Sequence, residues 1–105
     1  SITSFSFGDG VKSIPAFLCS GMANLQYVII PDSITNIGEG AFSNCSSLSE
    51  VFCKATTPPS IGSIAFSYNA SGRKIYVPAS DDDSIINAYK SAWSGFKSSI
   101  YEYEF

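Results

Sequence analysis

The chain has no histidine among its 105 residues. Imidazole-activated serine or cysteine nucleophiles are therefore excluded, as are the commonest protein ligands for zinc and iron. Charge is sparse too: 14% of residues are Asp, Glu, Lys or Arg, and the net charge of −3 is spread along the chain. The basic patch that nucleic-acid binding requires is missing. No apolar run approaches the roughly 18 residues of a membrane-spanning helix, and no segment reads as a secretion signal. The three cysteines, 19, 45 and 53, are too far apart for a metal knuckle, and their odd number argues against a disulfide-stapled domain. Each is read as a small buried hydrophobe, with a Cys19–Cys45 bridge as the alternative. The one carboxylate run, Asp81 to Asp83, stands where a helix begins. There it favours the helix dipole by roughly 0.3–1 kcal/mol per residue, and it lacks the alternating ligands of a calcium loop. The triplets Asn44-Cys-Ser46 and Asn69-Ala-Ser71 match the N-glycosylation pattern by chance in so serine-rich a chain. No catalytic residue, cofactor or metal site is assigned.

What is present is a repeat of about 23 residues. Val11-Lys-Ser-Ile14, Cys19, Met22, Leu25 and Val28 lie over Ile34-Thr-Asn-Ile37, Phe42, Cys45, Leu48 and Val51. A third copy, from Ile61 through Ala65-Phe66 to Ile75-Tyr-Val-Pro78, is offset by one more residue near Pro58-Pro59. Ile2, Phe5 and Phe7 precede Leu25, Val28 and Ile30 at the same spacing. Apolar residues recurring at one such period predict a solenoid whose rungs bury a shared core against their neighbours. The hydrophobic content of 45% is ample for such a core, and the length suits one domain. The abrupt start inside a repeat suggests a mature or truncated piece of something longer.

Each rung parses into three parts. Leu25 to Ile30 and Leu48 to Cys53 alternate like half-buried strands, with Val28 and Ile30 inward. Pro31 and Pro78 end the strand in their copies, having no N–H to donate to the ladder. Ile34 to Ile37 is a second extended piece, closed by Gly38 where the backbone turns. Ala41 to Cys45 is a tight helical turn that places Phe42 and Cys45 on one side. After the third unit, Ile85, Ile86, Tyr89 and Trp93 recur at helical spacing behind Ser84, a candidate N-cap. Ile100 to Phe105 alternates again as a last strand, and helix and strand together shield the end of the solenoid.

The text from Ile30 to Leu48, Ile-Pro-Asp-Ser-Ile-Thr-Asn-Ile-Gly-Glu-Gly-Ala-Phe-Ser-Asn-Cys-Ser-Ser-Leu, resembles the leucine-rich repeat of BspA-like, or Treponema-type, bacterial surface proteins. Ala55-Thr-Thr-Pro-Pro-Ser-Ile-Gly, Ile75-Tyr-Val-Pro78, Tyr89-Lys and Trp93 are similar to that family's terminal unit and cap. The first unit departs from the pattern, with Pro15 for the turn glycine and Leu18-Cys19 for Ala-Phe. The third has Asn69 at the Cys45 position and Gly72 at the Leu48 position. The resemblance implies a leucine-rich repeat solenoid, α/β or mainly β. Short parallel strands would stack about every 23 residues, with short helical turns between them and a C-terminal helix and strand as cap. The solenoid would occupy residues 1–79, with a partial rung at 1–10 and units near 11–33, 34–56 and 57–79; the cap would occupy 80–105. The resemblance further implies a non-enzymatic, extracellular or cell-surface adhesion module with protein partners, host extracellular proteins among them.

Candidate binding residues come from stacking the outward strand positions. One column reads Ser6, Ile29, Phe52, Tyr76; beside it runs Ser4, Tyr27, Glu50, Lys74, with Thr3, Gln26, Ser49 and Arg73 at the edge. The inward face needs apolar residues to fold, whereas the outward face does not. Tyr27, Ile29, Phe52 and Tyr76, with Glu50 and Lys74 beside them, are therefore either rungs of a supporting ladder or part of a partner-binding patch. A glycan partner is the alternative occupant, with the tyrosines and Trp93 stacking on sugar and Gln26 hydrogen-bonding to it. A purely architectural end-piece of a longer array is a third reading.

Overall fold

A computed structural model describes residues 3–7, 10–62 and 64–104. Its elements in chain order are β1 (Ser4–Ser6), β2 (Ser13–Ile14), β3 (Tyr27–Ile30), β4 (Asn36–Ile37), β5 (Glu50–Cys53), β6 (Ser60–Ile61), β7 (Lys74–Pro78), α1 (Ser84–Ala92), a 3-10 turn (Ser94–Ser99) and β8 (Ile100–Tyr103). The strands make two parallel sheets, β1-β3-β5-β7-β8 and β2-β4-β6. Register follows the repeat: Phe5, Val28, Val51, Ile75 and Ile100 are successive partners in the larger sheet, and Ile14, Ile37 and Ile61 in the smaller. The chain is thus the solenoid that the spacing requires. Ile2, Ser63 and Phe105, which belong to the repeat and last-strand readings, lie outside the described residues.

The strands begin two residues later than the apolar pattern suggests. Leu25 and Leu48 are buried, but their N–H groups close turns onto Met22 and Cys45. The segment Ala41 to Cys45 is also not an α-helical turn. Ala41 and Ser43 donate to Gly38 and Gly40, three residues back, at 3.2 and 3.1 Å. The alternate N–H groups of Phe42 and Asn44 donate instead to Ala65 and Ser67 of the next rung, at 2.8 and 2.9 Å. Bonds between rungs have displaced the i to i−4 bonds that a helix would need. Phe42 and Cys45 still point into the core together, as their spacing implies. In the first rung Cys19 is buried in the place of Phe42, while Leu18, replacing an alanine, is 44% exposed.

Gly38 is required for a different reason than a turn. Its φ is not left-handed; a Cβ there would lie 2.5 Å from the backbone nitrogen of Ala16. Gly62 is held in the same way against the backbone of Glu39. The rungs can close to hydrogen-bonding distance only where these side chains are absent.

Inside, Phe42 and Phe66 stack with centroids 5.4 Å apart and planes 2° apart, and Trp93 continues the pile 5.7 Å from Phe66. Asn69 occupies the Cys45 position and repeats its role. Its Nδ2 donates to the Phe42 carbonyl at 2.8 Å, as the Cys45 thiol does to the Cys19 carbonyl at 3.0 Å. The helix α1 closes the core from the C-terminal end. Tyr89 donates its hydroxyl to the Ala55 carbonyl at 2.6 Å, and the Trp93 Nε1 donates to the Pro59 carbonyl at 3.0 Å. Ser84 is the first helical residue rather than the cap. Asp83 holds the cap position in a left-handed conformation, with no hydrogen bond from its own side chain. The free N–H groups go to neighbours instead: Ser84 donates to Asp82 Oδ1 and Ile85 to Ser80 Oγ, at 3.1 and 3.2 Å. These substitute for the missing cap.

Candidate functional site

The outward columns form as the register requires. Ser6, Ile29, Phe52 and Tyr76 are successive Cα partners, and so are Ser4, Tyr27, Glu50 and Lys74. Strand spacing of about 4.8 Å brings neighbouring rings to stacking distance. The Phe52 and Tyr76 rings lie 5.1 Å apart and 16° from parallel, and Tyr27 meets Phe52 edge-on at 6.3 Å. Ile29, Phe52 and Tyr76 are half-buried by this packing, whereas Tyr27 is exposed.

β8 enlarges the site beyond the sequence-derived set. Tyr101 is the register partner of Tyr76, and Tyr103 that of Pro78. Tyr103 packs edge-on against both Phe52 and Tyr76, at 5.5 and 5.4 Å, and Tyr101 lies 6.4 Å from Tyr76. Five aromatic rings therefore touch on one outer face. The repeat spacing does not reach Tyr101 and Tyr103, because α1 and the 3-10 turn intervene between β7 and β8. The signal was there: Ile-Tyr at 75–76 recurs as Ile-Tyr at 100–101.

Polar neighbours frame the rings. Lys74 Nζ sits 5.6 Å above the centroid of Tyr101, within cation–π range. A shallow apolar cleft of about 250 Å³ opens between Ile29, Phe52, Lys54 and Tyr103. Arg73 leaves the edge column to which its spacing assigned it. It is half-buried, donates to the Phe66 carbonyl, to Asn69 Oδ1 at 3.0 Å and to Ser99 Oγ at 3.4 Å, and stacks 5.2 Å over Phe96. Desolvation lowers its pKa. It ties the third rung to the 3-10 turn. Trp93, a candidate sugar platform, is 1% exposed and belongs to the core.

The thiols are chemically quiet. All three cysteines are free and buried. Burial pushes Cys19 and Cys53 up to about 11 and raises Cys45 as well. They are neutral at physiological pH and poor nucleophiles. Asp82 has its pKa lowered by the Ser84 hydroxyl and backbone N–H, so its carboxylate is engaged in starting the helix. Among the described residues no group of three or more Cys, Asp or Glu side chains is placed to hold a metal ion. What the geometry offers is a rigid, outward-facing aromatic shelf with mixed charge beside it.

A family model described as the BspA type leucine-rich repeat region matches residues 1–101, in six copies. No curated protein matches the chain.

Proposed function

The chain belongs to the BspA-type leucine-rich repeat family, and on that premise we propose that it is a non-enzymatic adhesion module whose outer sheet face docks a protein partner. Repeats of this family form interaction modules and are commonly surface-associated. Among the described residues no helix is long and apolar enough to cross a membrane. In this reading the chain works at a bacterial cell surface or outside the cell, and host extracellular proteins are the partners.

One observation carries the reading. Tyr27, Phe52, Tyr76, Tyr101 and Tyr103 touch one another on a face that the core does not use. Contiguous apolar surface of this kind marks interaction sites, and tyrosine supplies contact area at small entropic cost. Ile29 adds aliphatic area, and Glu50 and Lys74 set register at the rim. Burying three or four such side chains yields roughly 5–12 kcal/mol gross. Association costs on the order of 4–15 kcal/mol. A single module therefore binds weakly, and display in several copies supplies avidity.

The test is surface plasmon resonance against a panel of extracellular matrix proteins, with Tyr27→Ala and Tyr101→Ala as the variants. Both residues are exposed, so folding is spared. At least about a tenfold loss on a partner bound by the wild type, a difference of about 1.4 kcal/mol, is expected; unchanged binding sinks the site. The glycan reading loses Trp93 to the core and keeps only the tyrosines and Gln26. A glycan array that binds wild type but not the tyrosine variants would replace protein by sugar as the occupant.

A further inference from the structure

The turns that lead from the smaller sheet to the larger one, within 15–24, 38–47 and 64–71, form a third side of the solenoid. Two register lines on this side keep a left-handed backbone from rung to rung. Phe17, Gly40 and Ile64 have φ of 59°, 61° and 53°, and Gly21, Asn44 and Tyr68 have φ of 80°, 58° and 59°. Bonds between rungs hold that conformation. Phe17 and Gly21 donate to the Glu39 and Ser43 carbonyls at 2.9 and 3.0 Å, and Asn44 donates to the Ser67 carbonyl at 2.9 Å. Glycine and asparagine suit such a backbone; phenylalanine, tyrosine and above all β-branched isoleucine do not. Burial does not offset the strain, because Phe17 and Ile64 are exposed and Tyr68 is 77% exposed. Leu18 is exposed beside Phe17, at the position where Ala41 and Ala65 are buried. The Phe17 ring lies over Gly40, where a Cβ would run into it. It therefore reaches toward Ile64, the next residue in the line. Large apolar side chains stand here where the fold favours them least.

We infer that this turn side docks on the turn side of a second copy of the chain, in a two-fold contact built on Phe17, Leu18, Ile64 and Tyr68. Strain retained at exposed apolar positions marks a working surface. Charge selects the occupant. The three turn segments carry one charged side chain between them, Glu39, so a charged partner finds almost nothing to pair with. The chain as a whole carries −3, and two copies repel one another least where charge is absent. An isologous contact sets the same patch against itself, which an uncharged patch permits without like charges meeting. Four side chains cover less than the roughly 800 Å² that each partner brings to a standard interface. The dimer is therefore weak, and it gains from display in several copies. None of its residues belongs to the docking face proposed above, so the two surfaces can be occupied together.

Sedimentation equilibrium on the intact chain, from about 10 µM to about 1 mM, should show the mass rising from one chain toward two. Ile64→Asn with Tyr68→Asn installs the residue that Asn44 already carries in the same conformation. That variant should self-associate at least about tenfold more weakly and still melt cooperatively. Phe17→Gly, which matches Gly40 in its own line, should weaken association by a similar factor and is the second measurement should the double variant not fold. Tyr27→Ala with Tyr101→Ala should dimerise like wild type, whatever happens to a protein partner on the outer face. A wild type that stays monomeric to the highest concentration overturns the inference, even if it then binds phosphatidylcholine vesicles through the same residues. So do folded turn variants that associate like wild type. Loss of the dimer in the outer-face variant also overturns it, since the outer face would then be the contact between copies.

Discussion

Two piles of aromatic rings run through this solenoid, and they differ in what surrounds them. The inner one, Phe42, Phe66 and Trp93, is buried between the sheets and the turns. The outer one, Phe52, Tyr76 and the tyrosines of β8, stacks at nearly the same spacing on the opposite side of the same strands. Both are products of the rung period, which returns equivalent residues one above another. Stacking alone contributes roughly 0.5–1.5 kcal/mol per ring pair in either place. The inner pile adds full removal of apolar surface from water, which the outer pile achieves only in part. A fold needs the first, so the second calls for another explanation. In the reading proposed here for this face, recognition supplies it.

The comparison is broken most directly by truncating one ring from each pile. Phe66→Ala should cost about 3–5 kcal/mol, because its neighbours Phe42, Trp93 and Phe96 cannot all collapse into the space. In a domain of this size that lowers the melting temperature by well over 10 °C, at about 4–8 °C per kcal/mol. Phe52→Ala should cost about 1–2 kcal/mol, since that residue is only partly buried. Calorimetry showing equal losses would mean that the outer pile is structural after all.

Alkaline pH strikes the interior. The Cys53 and Cys19 thiols move from an ordinary 9.0 to about 11, chiefly by desolvation. A raised pKa means that the native state holds its protons longer than the unfolded state does. Stability is therefore intact below pH 9 and falls as the pH rises through 11, by about 1.4 kcal/mol per unit for each thiol. Tyr89, whose hydroxyl touches Cys53 and whose pKa burial also raises, acts in the same direction. Urea titrations at pH 8, 9, 10 and 11 should show the fall, and Cys53→Ala should flatten it. A variant as sensitive as wild type would place the alkaline weakness elsewhere.

A smaller effect sharpens the contrast between polar handles. The Trp93 indole N–H is spent on the Pro59 carbonyl inside the core. Trp93→Phe keeps most of the ring but strands that carbonyl, at a cost of about 1–3 kcal/mol by thermal melting. Wild-type stability in this variant would mean that the bond contributes nothing net.

How much of this could be read from the residues depends on which contacts follow the period. Val28, Val51 and Ile75 fix the register, and register fixes the columns, so Tyr27, Ile29, Phe52 and Tyr76 were legible as one face. What escaped were features set by the approach of two rungs and by breaks in the period. Gly38 is a glycine because Ala16 passes against it, which no single rung reveals. The Ala41 to Cys45 turn looked helical because its apolar spacing is helical, yet its N–H groups were claimed by the following rung. Arg73 sits where an outward residue belongs by count, but Phe66, Asn69 and Ser99 offer it partners inside the edge. Tyr101 and Tyr103 were hidden by the helix inserted before them, which shifts the last rung to 25 residues from Ile75 to Ile100.

Tyr101 carries the finest form of the comparison. It is 45% exposed, touches Tyr76 at the longest ring distance within the outer cluster, and shares the Lys74 ammonium. Neither contact is deep enough to matter for folding: an exposed cation–π pair contributes about 0.5–1 kcal/mol, and part of that returns when Lys74 is rehydrated. Tyr101→Ala should therefore shift stability by no more than about 1 kcal/mol. The same substitution removes an exposed ring from the proposed docking face. It should weaken binding of the protein partner while the melting curve moves far less than for Phe66→Ala. Phe66→Ala should do the reverse, lowering the melting temperature while the protein that remains folded binds as before. Two variants that moved stability and binding in proportion would erase the distinction between the piles, because the outer rings would then hold the rungs together and recognise nothing.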